Sequence, residues 1–442
     1  MSKVFITVGL GFGDEGKGTT VDFLTREHGA SVVVRYNGGA QCGHNVVLED
    51  GRHHMFSQFG SGTFVPGVET HLSRHMLVNP ITMVSEEKHL RSVGVEDAFD
   101  RTTIEGKALI TNPFQVSSNR IREMVREALS VKRRTGEGRH GSCGMGIGET
   151  MADFLNNPTE ALRMGDLKDV DVLRRKLLAS QAKKQFEIAG EILKTPTSPA
   201  ISSEWALLND RRIVEELVER YQAFTKLVRI VDGAYLPSLM AEGTTIFEGA
   251  QGVLLDQNFG FHPHTTWTDT TFGNAVDLLS GFTGEITKLG ILRSHTTRHG
   301  AGPFPTEDPT LKLPNDHNNW GEWQQSFRVG HLDLALTRYA IEAIGGVDEI
   351  ALTHLDLFPE FKKVCVSYRE SKLPLPKGLS NTTGRLRQQE ENGKSLRTKT
   401  PVFREFSDVA ELISGVESLK ASVTICSYGP TAKDKKARSC PS

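Results

Sequence analysis

Residues 9–20 read GLGFGDEGKGTT, a run whose residue types suit phosphate chemistry. Gly11, Gly16 and Lys17 fit the start of the pattern G-x-x-x-x-G-K-[ST]. Glycines let backbone N–H groups approach phosphate oxygens, and the N-terminus of a following helix adds a favourable dipole. Lys17 could bridge a transferring phosphoryl group. The last position departs: Gly18 stands where a hydroxyl would ligate magnesium, and the hydroxyl comes one residue later, at Thr19. Asp14 is a carboxylate placed among phosphates. It is repelled there unless it binds Mg²⁺ or takes a proton from a substrate; the alternative is a tight turn in which Asp14 caps the helix.

The β-branched runs 3–8 and 31–36 flank this loop and read as buried strands, with a helix over 19–26 between them. Further strands are expected at 244–248, 286–293, 348–353 and 422–427. Apolar stripes at Ile121, Met124, Val125 and Leu129, and from Ile213 to Phe224, predict core-facing helices. Together these elements predict an α/β fold on a central, mostly parallel sheet, with ligands at the carboxyl ends of its strands. Residues 180–203, rich in Lys, Ser, Thr and Pro, read as a surface excursion. Residues 308–326 read as a long loop, part of a substrate loop over about 295–328. The 442 residues carry 52 Lys and Arg against 54 Asp and Glu, a balance that argues against nucleic acid as a partner. No apolar run reaches the roughly 18 residues of a membrane span. Five scattered cysteines without a C-x-x-C pair point to a reducing, cytoplasmic setting and no cysteine zinc site. His295 and His299, or His262 and His264, lack the carboxylate that would make a zinc-binding pair of them.

GFGDEGKG closely resembles the N-terminal signature of the adenylosuccinate synthetase family, which joins inosine monophosphate to aspartate with GTP hydrolysis. YNGGAQCGHNVV (36–47), EGAQGVLLD (248–256), TTRHGAGPFPTE (296–307), THLD (353–356) and SYGP (427–430) resemble later segments of that family in the same order. The resemblance implies a single domain over 1–442, with helical subdomains and long active-site loops, and a cytoplasmic homodimer. It implies a C–N ligase of purine nucleotide biosynthesis that uses Mg²⁺ and GTP, with ATP or dATP open as the donor. Its partners would be a purine nucleotide and an amino acid. By resemblance Asp14 is the general base and a Mg²⁺ ligand, His44 the acid on the attacking oxygen, and the Gly43 carbonyl a second metal ligand. Lys17 would act on the phosphoryl group. Nucleotide binding falls to Gly11, Gly13, Glu15, Gly16, Gly18 and Thr19, with Asp356 pairing with guanine and Ser427 and Gly429 beside it. Gln251 resembles the purine contact, since a carboxamide both donates to and accepts from a lactam. Thr266 falls at a nucleotide-phosphate threonine. Gln41, Cys143, Arg298 and Arg328 complete the substrate set.

Departures from the family cluster in these pockets. In GSCGMGIG (141–148), Cys143 replaces a phosphate-binding threonine and Met145 an arginine. No arginine between 150 and 162 matches the one that a neighbouring subunit lends in the family. Gln41 replaces an asparagine, and Gln325 and Phe327 of WQQSF fall on the two arginines of the amino-acid clamp, leaving Arg328 and Arg298 nearby. His354 replaces a lysine. These changes leave open a divergent adenylosuccinate synthetase, a relative acting on deoxyguanylate or another oxo-substrate or amino acid, and a non-catalytic GTP-binding switch. Phage enzymes of the deoxyguanylate kind are expected to lack the aspartate that is Asp14 here. A switch has no use for His44, Gln251 or the GAGPFPTE loop.

Overall fold

A computed structural model describes residues 3–133, 138–195, 198–313, 321–370, 373–375 and 382–438. Its frame is a ten-stranded sheet with the N-terminal strand Lys3–Gly9 near the middle. On one side of that strand follow Glu285–Arg293, Glu349–Thr353, Ser422–Ser427 and Lys435–Ala437; on the other follow Thr244–Gly252, Ala30–Arg35, Glu69–Leu72, Thr102–Glu105 and Arg229–Val231. Every pairing is parallel except that of the outermost strand, Lys435–Ala437. Parallel strands are covered on both faces, which is why VFITV and SVVVR read as unbroken apolar runs. Val4, Ile6 and Val8 pack into one core with Leu336, Tyr339 and Leu352. Phe5, on the opposite face, packs with Val21, Leu24, Val33 and Ile246.

A helical layer surrounds Phe114, Ile121, Leu177, Ile188 and Tyr221. It contains both striped helices, as Pro113–Arg133 and Arg212–Phe224. The expected excursion over 180–203 is corrected. Val170–Ile192 is a 23-residue helix started by the Asp169 side chain, and Pro199–Asn209 is another, started by Ser198. The polar composition misled because the helix buries an ion cluster: Lys184 Nζ lies 2.8 Å from Glu149, 2.8 Å from Asp153 and 3.0 Å from Glu187. The substrate loop is shorter than 295–328. His295–His299 and Phe327–Asp333 pair antiparallel in a second sheet with Lys363–Tyr368 and Pro401–Glu405, setting Arg298 opposite Arg328. Those two strands carry polar residues on both faces and gave no apolar run to find. Among the described residues no helix is long and apolar enough to cross a membrane, and Cys42, Cys143, Cys365 and Cys426 are free.

Candidate active site

Because the central strands run parallel, their carboxyl ends share one rim, and the glycine loop, Gln251, Asp356 and Ser427 lie at those ends. The chain leaves Lys3–Gly9 in a loop that reverses through Gly13 (φ 97°), Asp14 (φ 63°) and Gly16 (φ 91°) before the helix Lys17–Glu27. Within it the buried Glu15 carboxylate accepts from Gly11 N at 3.0 Å, from Gly13 N at 2.8 Å and from Lys17 Nζ at 2.5 Å. Glu15, Gly11 and Gly13, expected at the nucleotide, are thus hydrogen-bonded to one another in the folded chain. A Cβ on Gly9 or Gly252 would lie 2.1 or 2.6 Å from that carboxylate, so the surrounding glycines make room for it. Gly18 has its own steric reason. A Cβ there would meet the His44 carbonyl carbon and Asn45 oxygen at 2.8 Å, so the helix start and the His44 strand exclude a serine. The Thr19 hydroxyl, expected at the nucleotide, donates to Pro430 O and accepts from Lys435 Nζ, both at 2.6 Å, fastening the turn after Ser427 to the helix.

Asp14 Oδ2 lies 3.1 Å from His299 Nε2, and the Asp14 carbonyl accepts from Arg293 Nη1 at 2.9 Å. Burial alone would raise the carboxyl pKa; the hydrogen bond and charge of His299, with Arg293 and Lys17, outweigh it and hold the pKa down to about 2. Asp14 is therefore an ionised, hard oxygen ligand at neutral pH. No group of three or more metal-ligating side chains exists among the described residues. One carboxylate and the exposed Gly43 carbonyl suit Mg²⁺, which keeps waters and substrate phosphates in most of its positions.

Opposite the loop, His44 Nδ1 lies 2.5 Å from Glu248 Oε1, which also receives Ser61 Oγ; Glu248 Oε2 receives Ser61 N at 2.8 Å. Burial raises the Glu248 carboxyl, but Arg35, His44 and Ser61 together bring its pKa down to about 2. Burial lowers the pKa of His44, against Glu248, so its resting ring is neutral, with Nδ1–H on Glu248 and Nε2 turned elsewhere. Sequence reasoning missed both supports, Glu248 and His299, though each lies inside a motif already singled out: EGAQG and TTRHG.

Gln251 (φ 56°), at the end of the strand Thr244–Gly252, lies against Gly38 and Cys42 of the loop that carries Gln41. Gln251 Nε2 donates to Cys42 Sγ at 3.4 Å, while Gln251 Oε1 and both amide atoms of Gln41 are buried without partners. Burial pushes the Cys143 thiol up to about 11, so it is neutral. Trp323 wedges against Gly144, between Arg120 and Arg139 at 5.3 Å each, in the stretch aligned with the missing clamp. Arg328, expected at the substrate, pairs with Glu307 through two nitrogens and donates to the Gly300 and Gly302 carbonyls. Arg298 is buried over the Phe12 ring at 4.1 Å, donating to the carbonyls of Ala301, Pro303 and His264. Thr266 stands in the neighbouring loop, its hydroxyl 3.4 Å from that of Thr268. Asp356 is exposed at the end of Glu349–Thr353, beyond His354 (φ 57°), and Ser427 Oγ donates to Gly429 O. His295 stacks on Phe361, apart from the Asp14–His299 pair.

A family model described as adenylosuccinate synthetase matches residues 6–434. The adenylosuccinate synthetase of Chlorobium chlorochromatii is 31% identical over 378 residues, 82% of this chain and 79% of that protein. The fold matches that of fully ligated adenylosuccinate synthetase from Plasmodium falciparum at a TM-score of 0.73 and 23% identity, covering 99% of this chain and 100% of that one. It also matches succinoaminodeoxyadenylate synthetase of cyanophage S-2L, solved with dGMP and with dATP as an energy donor, at a TM-score of 0.58 and 15% identity, covering 99% and 95%. The chain belongs to the adenylosuccinate synthetase family.

Proposed function

We propose that this protein joins a 6-oxopurine nucleotide, inosine monophosphate, to L-aspartate at the expense of GTP, giving adenylosuccinate through a 6-phosphoryl nucleotide. The observation that carries this reading is the pair of buried carboxamides, Gln41 and Gln251, with unpartnered polar atoms at the rim that holds Asp14 and His44. A buried amide without a partner costs free energy, and a lactam edge supplies the matching donor and acceptor. Asp14, ionised and fixed by His299, takes the N1 proton. The 6-oxygen then forms a bond to the γ-phosphorus as the bond to GDP breaks. His44 Nε2, with Glu248 behind the ring, binds a proton that the arriving phosphoryl charge favours and holds it on the transferring oxygens. In the second step the aspartate amine bonds to C6, inorganic phosphate leaves, and the amine sheds its proton.

Asp14 and the Gly43 carbonyl would hold Mg²⁺, which neutralises charge on the donor phosphates. Lys17 would move from Glu15 to phosphate, and Asp356 would select guanine. Arg298, the buried guanidinium beside the loop, would face the amino acid. The same reading makes the protein a homodimer. The test is phosphate release with Mg²⁺, GTP and aspartate, run in parallel with inosine monophosphate and deoxyguanylate and followed by product mass. Adenylosuccinate from inosine monophosphate is expected; product from deoxyguanylate alone would transfer the protein to 2-aminopurine chemistry.

A further inference from the structure

Two cations in the substrate region, Arg298 and Arg397, have no carboxylate partner among the described residues. Arg298 is 1% exposed, and its hydrogen bonds run to backbone carbonyls. The charged groups that act on it, Arg328 and Arg397, are both cations, and with burial they push its pKa down to about 9. Glu307 is engaged with Arg328, the neighbour of Arg298 across the strand pair.

Arg397 closes the helix Thr382–Arg397, far along the chain from every motif of the site. His264 holds it in place. The Nδ1–H of His264 donates to His140 O at 3.2 Å, which leaves Nε2 as a lone-pair acceptor, and Arg397 Nη2 donates to it at 3.2 Å. Burial, Arg298 and Arg397 lower the pKa of His264 to about 4, so the ring stays neutral and can accept. Arg397 thus spends one donor of five on a neutral ring. Among the described residues it meets no carboxylate. His264 in turn accepts from Arg298 Nη2 through its carbonyl at 3.4 Å, so one residue joins the two guanidiniums, and it lies two residues from Thr266 in the chain.

We propose that Arg397, oriented by the ring of His264, is an oxyanion-binding residue of the substrate site, taking the phosphate of the purine nucleotide or a carboxylate of the amino acid. This rests on the function proposed above for the choice of ligands, but not for the existence of the anion site. A planar guanidinium with free N–H pairs fits either anion in two-point contact. It also supplies, from another part of the chain, positive charge that the missing arginines of the 141–148 and 323–327 stretches do not.

The experiment is calorimetric titration of the full chain with inorganic phosphate and, separately, with succinate, in the absence of nucleotide. Arg397→Gln is compared with wild type and with Arg174→Gln, which carries the same charge change in the helical layer. Arg397 is exposed, so matching thermal melts are expected. Arg397→Gln should weaken one anion by roughly tenfold or more, the scale of one charge-assisted contact, with Arg174→Gln unchanged. Loss of phosphate binding assigns the nucleotide phosphate, and loss of succinate binding assigns the amino-acid carboxylate. Equal affinities in wild type and Arg397→Gln, an equal loss in Arg174→Gln, or no binding of either anion by wild type would overturn the proposal. Absence of turnover with intact, Arg397-dependent anion binding would overturn only the proposed reaction.

Discussion

Glu248→Gln removes one charge from the site while keeping its shape. In the folded chain the carboxylate receives His44 Nδ1 and Ser61 Oγ, each at 2.5 Å, and Ser61 N at 2.8 Å, beside the fully buried Arg35. Its pKa falls from 4.5 to about 2. That depression corresponds to about 3 kcal/mol of folding free energy. The folded pKa lies below the unfolded one, so this stability is complete above about pH 4.5 and drains away as pH falls towards 2. The glutamine variant should therefore unfold more easily at neutral pH by about 3 kcal/mol, or somewhat more because Arg35 is left uncompensated. The two proteins should converge in acid. In catalysis an amide holds the ring but does not stabilise its protonated form, so kcat should fall by about 10²-fold or more while the nucleotide KM changes little. Urea unfolding at neutral pH and near pH 3, with phosphate-release kinetics, reads both quantities. A variant with wild-type kcat, or with the same stability loss at both pH values, would refute the argument that Glu248 works through its charge.

Gly18→Ser restores the usual P-loop hydroxyl but sets a Cβ 2.8 Å from the His44–Asn45 backbone; it should cost about 1–3 kcal/mol and lower kcat, and an active variant of unchanged melting temperature would contradict the steric account. Gln251→Leu should raise the nucleotide KM by about tenfold or more with GTP binding preserved, measured by separate titration of the two nucleotides. Lys184→Met leaves Glu149, Asp153 and Glu187 without their shared ammonium; it should destabilise by about 3–5 kcal/mol in urea, with substrate KM values unchanged.

The parallel half of the fold was legible because buried parallel strands must be apolar on both faces, and all six strands read from such runs lie in the central sheet. The second sheet was not, since HTTRH and FRVGHLD bury polar side chains and offer no apolar run to read. The excursion over 180–203 failed for a related reason: buried Lys184 looks like solvent chemistry until its three carboxylates, two of them on another helix, are brought to it. Within the site, the family resemblance pointed to Asp14, His44 and Gln251 as the groups for the substrate. It did not reveal the groups that hold them, because Glu248 is 204 residues from His44, and His299 is separated from Asp14 by most of the chain. Glu15 was read as a nucleotide contact, and that its carboxylate folds back onto Gly11 N and Gly13 N could not be read from the loop's residue types.

Asp14, Gln251 and His354 share the left-handed backbone that side chains other than glycine resist. Each residue in that region carries a cost on the order of 1–3 kcal/mol. Glycine would relieve all three and remove the very atoms at issue: the carboxylate, the carboxamide and the ring beside the helix start. Under the proposed reaction, heat tolerance and turnover therefore pull in opposite directions at Asp14 and Gln251. A selection that rewarded only survival at high temperature would drift towards glycine there, and its most robust products would keep the sheet intact while losing the reaction.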